Sequence, residues 1–551
     1  MKNLKILYGI VLFLFIYSCD ENEILKENPI DFYSTDNSYV TEADFKIAIN
    51  HLYDQVRSIH AIRSGELQTW TTDIVFKSSD NADADLNSPN NTLVPSHNYV
   101  ILYWSILYKI IYDANVIINR IDSKNTDFET DENRMLLKAE AKFFRAYAYR
   151  CLACIYGGVP LVLEEIKGPK RDFVRSTRDE TWQQCVTDLE DAAQHLPDAD
   201  NVEAPGRICD AAAYHLLAEI YISLKQWDDA ISAANKVINS GKFSLMTERF
   251  GTLANMPGDV YWDLFRKDNQ NRTSGNMESI WVIQYDGSVQ TLGGGGQDDV
   301  EKRYIPRYMS CKGPDGKNLF LGPTTQNCGR GGGFMQPNKY VENYVWVSDW
   351  DNDIRNSKYN IIRDLVADNP KSAYYGKSVV QINLINSRDY LRNWYPLFAK
   401  ASTQYQHPDE LYLDKTIGLL SGDAGHYYTD RYTMRLAETY LLRAEAYLGK
   451  GDLSNAASDI NVVRNRANAN PVSPNDVTID YILDERVREL YIEEMRMFTL
   501  SRLGLNYERK KKYCDRGSDQ ISPHHNLWPI PYSEIERNTE VKLEQNPGYD
   551  Q

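Results

Sequence analysis

The sequence predicts a mainly α fold, a tetratricopeptide-like helical-hairpin scaffold that carries a large loop-rich insert. Three observations lead there. Residues 134–155 place apolar side chains at i, i+3 and i+4 spacing, the period of an amphipathic helix. Residues 214–239 align without gaps to 440–465, sharing Tyr214/Tyr440, Leu216/Leu442, Ala218/Ala444, Glu219/Glu445, Tyr221/Tyr447, Ala230/Ala456, Ser232/Ser458, Asn235/Asn461, Val237/Val463 and Asn239/Asn465. Residues 251–432 are instead rich in Gly, Pro and Asn, with glycine runs at Gly293–Gly296 and Gly329-Arg330-Gly331-Gly332-Gly333.

From the N-terminus, Lys2 and Lys5 precede an uncharged, mostly apolar stretch from Ile6 to Tyr17. It is too short for a bilayer core, which takes about 20 residues, and suits a secretory signal instead. It ends Ile16-Tyr17-Ser18-Cys19, similar to a bacterial lipobox, so residues 1–18 are expected to be removed and Cys19 to carry lipid. Asp20, Glu21, Asn22 and Glu23 follow, an acidic cluster resembling the surface-export signal of Bacteroidetes lipoproteins. The expected address is the outer membrane, lipid-anchored and facing the cell exterior.

Next come a helical region, 19–250, with an early loop at 63–99, then the insert, 251–432, and a C-terminal helical hairpin with its tail, 433–551. The helix over 134–155 should stop at Tyr156-Gly157-Gly158-Val159-Pro160, where two glycines and a proline break it. Thr177 and Glu180 stand three apart as a capping box for a helix reaching Leu196. Each repeat copy reads as a helix, a short turn (225–228 or 449–452) and a second helix, with small Ala where helices cross. Within the insert, Ser279–Tyr285 alternates weakly, as a strand does.

Composition excludes some functions. Sixty-one Lys and Arg against 77 Asp and Glu give a net charge of −16, against the basic face that nucleic-acid binding needs. With 38 Tyr, 16 Phe and 10 Trp the chain is no disordered tail, and the excess of Tyr over Phe suits rings with one wet end. Seven cysteines besides Cys19 leave an odd thiol. Cys151 and Cys154 lie among small and apolar helical neighbours and read as buried thiols. Cys311 and Cys328 bracket a Gly/Pro-rich loop and are the disulfide candidate.

Several landmarks occur in order: Trp104–Asn115, Ala139–Tyr149, Tyr156-Gly-Gly-Val-Pro-Leu161, Asp188–Pro197, Arg435–Glu445, Ile460–Arg466, Glu485–Leu490, and the closing Trp528-Pro-Ile-Pro531 with Gln545-Asn-Pro-Gly-Tyr549. Together they resemble the SusD/RagB family of nutrient-binding outer-membrane lipoproteins. The resemblance implies a lid over a SusC-like TonB-dependent transporter, to which oligosaccharide or polysaccharide is passed without catalysis.

The residues themselves offer no common catalytic motif: there is no His-Glu-x-x-His and no Gly-x-Ser-x-Gly, and Gly376-Lys377-Ser378 lacks the upstream glycine of a phosphate loop, Lys371 standing there. Glu485, Glu489, Glu493 and Glu494, interleaved with Arg486, Arg488 and Arg496, read as ion pairs on a helix face. A sugar ring stacks its C–H face on an aromatic plane and offers its hydroxyls to Asp, Asn and Arg. The insert supplies such groups in Tyr304, Tyr308, Tyr340, Tyr344, Trp346 and Trp350, then Arg388, Trp394 and Tyr395; the early loop adds Trp70, Asp73, Asn81, Asp83 and Asp85. Asp83-x-Asp85-x-Asn87 and Asp349-x-Asp351-x-Asp353 have alternating oxygens suited to Ca²⁺, but Ser88 and Ile354 replace the glycine of an EF-hand loop and neither run has its closing Glu. No cofactor is therefore expected, a structural calcium being the one case to test. Two other readings stay open: a glycoside hydrolase using loop carboxylates, and a tetratricopeptide-type protein-interaction scaffold.

Overall fold

The structure, a computed structural model, describes residues 38–60, 69, 71–78, 87–285, 299–382 and 392–549. Among the described residues, six helices of twelve residues or more form the first half: α1 (Glu42–His60), α2 (Asn98–Arg120), α3 (Asp131–Tyr156), α4 (Arg178–His195), α5 (Asp210–Ser223) and α6 (Trp227–Ile238). After the insert come α7 (Leu436–Lys450), α8 (Leu453–Arg466), α9 (Ile479–Leu490), α10 (Arg496–Leu503) and α11 (Asn506–Tyr513).

Local chemistry sets their ends. The Thr130 side chain caps α3, which ends at Gly157 in a positive-φ conformation (77°). Gly158 then passes so close to the chain that a Cβ would come within 2.1 Å of the Ser176 carbonyl oxygen. Thr177 and Glu180 close the capping box of α4 from both sides. The repeat copies are the hairpins α5–α6 and α7–α8, and they pack on each other. There Gly449 makes room for the Trp227 ring, whose carbons would lie 2.7 Å from an added Cβ.

The core runs through the whole chain. Trp281 meets Phe143, Phe144 and Tyr147 edge-on at 5.5–6.2 Å between ring centres. Trp528 packs between Tyr103 and Tyr156, both at 6.1 Å. Asn546 donates to the carbonyls of Tyr156 (2.9 Å) and Trp528 (2.7 Å), so the glycine-proline break after α3 and the chain's tail are one structural unit.

The insert is held by short two-stranded antiparallel pairings. β1 (Val75–Lys77) pairs with β3 (Met335–Pro337), tying the early loop to the insert. β2 (Ser279–Ile283) pairs with β8 (Arg431–Arg435), closing the insert on itself. The remaining pairs are β4 (Ile361–Ile362) with β5 (Leu397–Phe398) and β6 (Tyr412–Asp414) with β7 (Leu419–Leu420).

Two expectations change. The Glu/Arg set of α9 does form ion pairs, but buried and mostly between elements. Glu489 meets Arg435 (2.7 Å), Arg355 (3.0 Å) and Arg466; Glu485 meets Arg464 and Arg355, both at 2.8 Å. Cys311 and Cys328 form no disulfide; both are buried free thiols, as are Cys151, Cys154, Cys185, Cys209 and Cys514. Cys311 Sγ turns instead to the Asn393 carbonyl at 3.5 Å. The loop is closed by backbone bonds such as Leu319 N–H to the Cys311 carbonyl (2.9 Å).

Candidate functional site

Most of the expected sugar-facing rings belong to the core. Tyr304, Tyr308, Tyr340, Trp346, Trp394 and Tyr395 are all buried. Tyr308 accepts from Thr324 N–H (2.8 Å) and donates to the Gly329 carbonyl (3.1 Å); Trp346 Nε1 donates to the Val341 carbonyl (2.9 Å). The physical reason is that a segment poor in helices has no repeating apolar stripe, so single large rings fill its interior. Asp73 is also buried. Arg496 donates to its two oxygens at 2.8 and 2.7 Å and Arg509 to one at 2.8 Å. Burial alone would raise its pKa, but Arg496 and Arg509 outweigh that and hold it at about 2. Cys19, Trp70, Asn81, Asp83, Asp85 and Arg388 lie outside the described residues.

Tyr344 and Trp350 are different. A one-turn helix, Lys339–Glu342, is capped by Asn338 and leads into a 3₁₀ helix, Tyr344–Asp349. With three residues per turn, side chains at i and i+3 eclipse. Tyr344, Val347 and Trp350 therefore form one line, and they are 66, 70 and 42% exposed. Val345, Trp346 and Asp349 point the other way, into the protein. Asp349 pins the helix by accepting from Ser348 Oγ (2.6 Å), Asn470 N–H (2.8 Å) and Arg464 Nη2 (2.6 Å). These oxygens, like those of Asp353 on Arg355, are engaged by arginine rather than arranged for calcium. Among the described residues no cluster of three His, Cys, Asp or Glu could hold a metal ion.

Trp350 is held in place. The Arg363 guanidinium lies 4.5 Å from its ring centre. Arg363 Nη2 donates to the Glu342 carbonyl (3.0 Å) and Asn356 Oδ1 (2.6 Å), while Asn356 donates to the Trp350 carbonyl (2.7 Å). Burial draws the Arg363 pKa down to about 10, and its Nε has no protein partner. Asp351 and Asn352, the next residues in the chain, are exposed. The arrangement is a fixed apolar row with a cation, a carboxylate and amides at one end. Sequence reading singled out Tyr344 and Trp350 but missed Val347 and Arg363; the three-residue spacing 344/347/350 was the available signal.

A second set of contacts joins residues 60, 78, 285, 299, 302 and 392 to the segments 332–334 and 425–431. His60 accepts through its carbonyl from Arg431 (2.8 Å), and Tyr285 N–H donates to Asp430 (2.8 Å). Asp299 pairs with His426 (3.1 Å), Ser78 N–H donates to the Phe334 carbonyl (3.0 Å), and Arg392 Nε donates to the Gly332 carbonyl (2.6 Å). Lys302 joins the two anchoring segments, receiving Gly332 N–H and donating to the Gly425 carbonyl. Gly333, at φ 66°, is obligatory there, because a Cβ would sit 2.1 Å from the Arg392 carbonyl oxygen. The Arg392 guanidinium covers the half-buried Phe334 ring at 4.3 Å. Elsewhere, a groove of about 400 Å³ between residues 199–207 and β2 is lined by Asp200, Glu203, Arg207, Asn271 and Arg272 over Ile280 and Val282, and holds none of the expected rings.

Comparison with known proteins gives the chain's family. The sequence matches the profile described as "SusD family" over residues 277–549, and the profile described as "Starch-binding associating with outer membrane" over residues 31–222. It is similar to SusD-like protein P2 of Formosa agariphila, 26% identical with both chains covered completely. It is also similar to the starch-binding protein SusD of Bacteroides thetaiotaomicron, 37% identical over 125 residues and 22% of each chain. Among solved structures, a laminarin-binding SusD-like protein superposes with a TM-score of 0.67 at 21% identity, covering 93% of this chain and 100% of the other. A SusD homologue from Bacteroides thetaiotaomicron gives 0.68 at 20%, covering 93% and 98%. Two profiles spanning both ends, a full-length relative and a shared helical fold agree: the chain belongs to the SusD/RagB family.

Proposed function

We propose that this chain is a glycan-binding lipoprotein of the outer membrane. It is tethered through Cys19 on the outer face and passes saccharide, uncut, to a SusC-like TonB-dependent transporter. The observation that carries the binding role is the exposed row Tyr344–Val347–Trp350 with Arg363, Asp351 and Asn352 at its end. A pyranose ring laid on Trp350 or Tyr344 would keep its apolar C–H face dry. Its hydroxyls would then meet groups able to accept and donate in pairs. The row is prebuilt, since Asp349 and Arg363 fix it without ligand, so little ordering would be lost on binding. The names of the relatives support saccharide as the class: one is a starch-binding protein and one a laminarin-binding protein. The family profile's description supports the outer membrane as the place.

The test is electrophoresis of the pure protein through gels cast with single polysaccharides of plant, host and microbial origin, with chromatography of each glycan afterwards. At least one polysaccharide should retard the protein and come back unshortened. Shortened product would make the chain a hydrolase; no retardation by any glycan would make it an interaction scaffold.

A further inference from the structure

One face of the molecule is apolar beyond what a solvated surface requires. Leu102 and Tyr112 of α2, Leu163 and Val174 of the 160–175 loop, and Tyr532 and Val541 of the tail are all exposed. Hydrogen bonds join these elements into one surface. Tyr108 Oη donates to the Pro160 carbonyl (2.8 Å), Asn115 Nδ2 to the Val162 carbonyl (2.8 Å), and Asn538 Nδ2 to the carbonyls of Phe173 (2.8 Å) and Val541 (2.7 Å). The loop is pinched at its base by the Pro160–Arg175 bridge. Between these elements lies a cavity of about 260 Å³ walled by Trp104, Tyr108, Tyr112, Ile166, Phe173 and Leu543. Lys167, Lys170 and Arg171 stand exposed on the loop between Leu163 and Val174 beside Glu164 and Asp172, Lys170 pairing with Asp172 at 3.3 Å, and Glu536 and Glu540 stand exposed on the tail. Exposed apolar side chains with Lys and Arg among them suit an interfacial surface, the former for acyl chains and the latter for phosphate headgroups.

The chain's own start points the same way. Tyr39, the second described residue, lies under the Arg120 guanidinium (5.9 Å to its ring centre) at the C-terminal end of α2. Arg120 in turn grips Glu165 of the loop (2.6 and 2.9 Å). Eighteen residues lie between Cys19 and Ser38, nineteen steps along the chain, a reach of at most about 65 Å at about 3.4 Å a step. The tether therefore enters the described structure at the edge of this face, beside α2 and the 160–175 loop.

We propose that the face built by α2, the 160–175 loop and residues 531–543 lies on the lipid surface, Leu163 and Val174 dipping among the acyl chains and Lys167, Lys170 and Arg171 meeting phosphates. It rests on the reading of Cys19 as lipid-bearing, and the experiment separates the two. Full-length lipoprotein is purified and reconstituted in vesicles of phosphatidylcholine and phosphatidylglycerol. A nitroxide is placed on Val174→Cys or, as a control, on the equally exposed Val347→Cys; the seven described native thiols are buried and leave the introduced one to react. Oxygen partitions into lipid and a nickel chelate stays in water. The ratio of oxygen to nickel accessibility should be about threefold or more higher at 174 than at 347, as burial about 5–10 Å into the interface implies. Protein that floats with the vesicles while both labels stay equally open to nickel keeps the tether and overturns the surface. A label at 174 shielded from both reagents means protein covers the face, which also overturns it. Protein that does not float has no lipid anchor, and both readings fall.

Discussion

Trp350 and Tyr395 show what a residue's sequence context reveals and what it hides. Both sit in Gly/Asn/Pro-rich surroundings and both invite the same expectation, yet Trp350 is open to solvent and Tyr395 is sealed inside. Burial in an irregular segment is decided by long-range packing, which no local period records. The three-residue spacing of Tyr344, Val347 and Trp350 was legible, and it separates the exposed rings from their buried neighbour Trp346. Replacing Trp350 or Tyr344 by Ala should weaken saccharide binding roughly three- to tenfold each, from about 0.5–1.5 kcal/mol of ring contact, with the thermal midpoint unchanged for Tyr344→Ala and lowered for Trp350→Ala, which loses the Arg363 contact. Binding isotherms beside melting curves would check this. A second residue-scale consequence concerns pH. His60 is buried, with Tyr147 Oη at 2.8 Å; burial, then the charges of Arg431 and Arg150, holds its pKa well below 6.5. His525 is drawn down to about 4, by burial and then by His524. The unfolded chain thus binds protons that the folded one refuses, so stability present above pH 6.5 is lost as pH falls through that value. Asp73 and Glu485, held at about 2 by arginines, keep their contributions until the pH nears their ordinary 3.8 and 4.5. The urea midpoint should therefore drop between pH 7 and pH 5, and His60→Gln should flatten part of that slope.

At the scale of elements, the helices were readable because their signals are local. The α4 capping box, the glycine stop of α3 and the paired hairpins follow from spacing alone. The ionic side of α9 was legible only as charge: its glutamates pair with Arg355, Arg435, Arg464 and Arg466, from elements distant in the chain. Asp73 teaches the same lesson, having been expected to face a ligand and instead bracing α10 and α11 through Arg496 and Arg509. Asp73→Asn leaves two buried guanidiniums short of a counter-charge. It should cost about 3–5 kcal/mol, read as a fall in denaturation midpoint, with the helical circular dichroism of the native state retained at low temperature.

For the whole molecule, the C-terminal tail returns to the first half of the chain. Asn546 and Trp528 dock on the end of α3, and the α7–α8 hairpin packs on α5–α6 across the entire insert. The internal repeat made that pairing readable; the tie between residues 75–77 and 335–337 was not, because the β1–β3 pairing spans some 260 residues. The odd cysteine count was readable too, but the expected Cys311–Cys328 bond was not formed. With every described thiol buried, an aqueous thiol reagent should modify none rapidly in the native state and all seven after unfolding, whether or not a reductant is present.

Saccharide held without being cut requires the exposed aromatic row, and calorimetric titration of the retarding polysaccharide tests this most directly. The native chain should release heat with a definable stoichiometry and leave the glycan intact, while the double variant Tyr344→Ala/Trp350→Ala should bind at least about tenfold more weakly. An unchanged isotherm for that folded variant would contradict it.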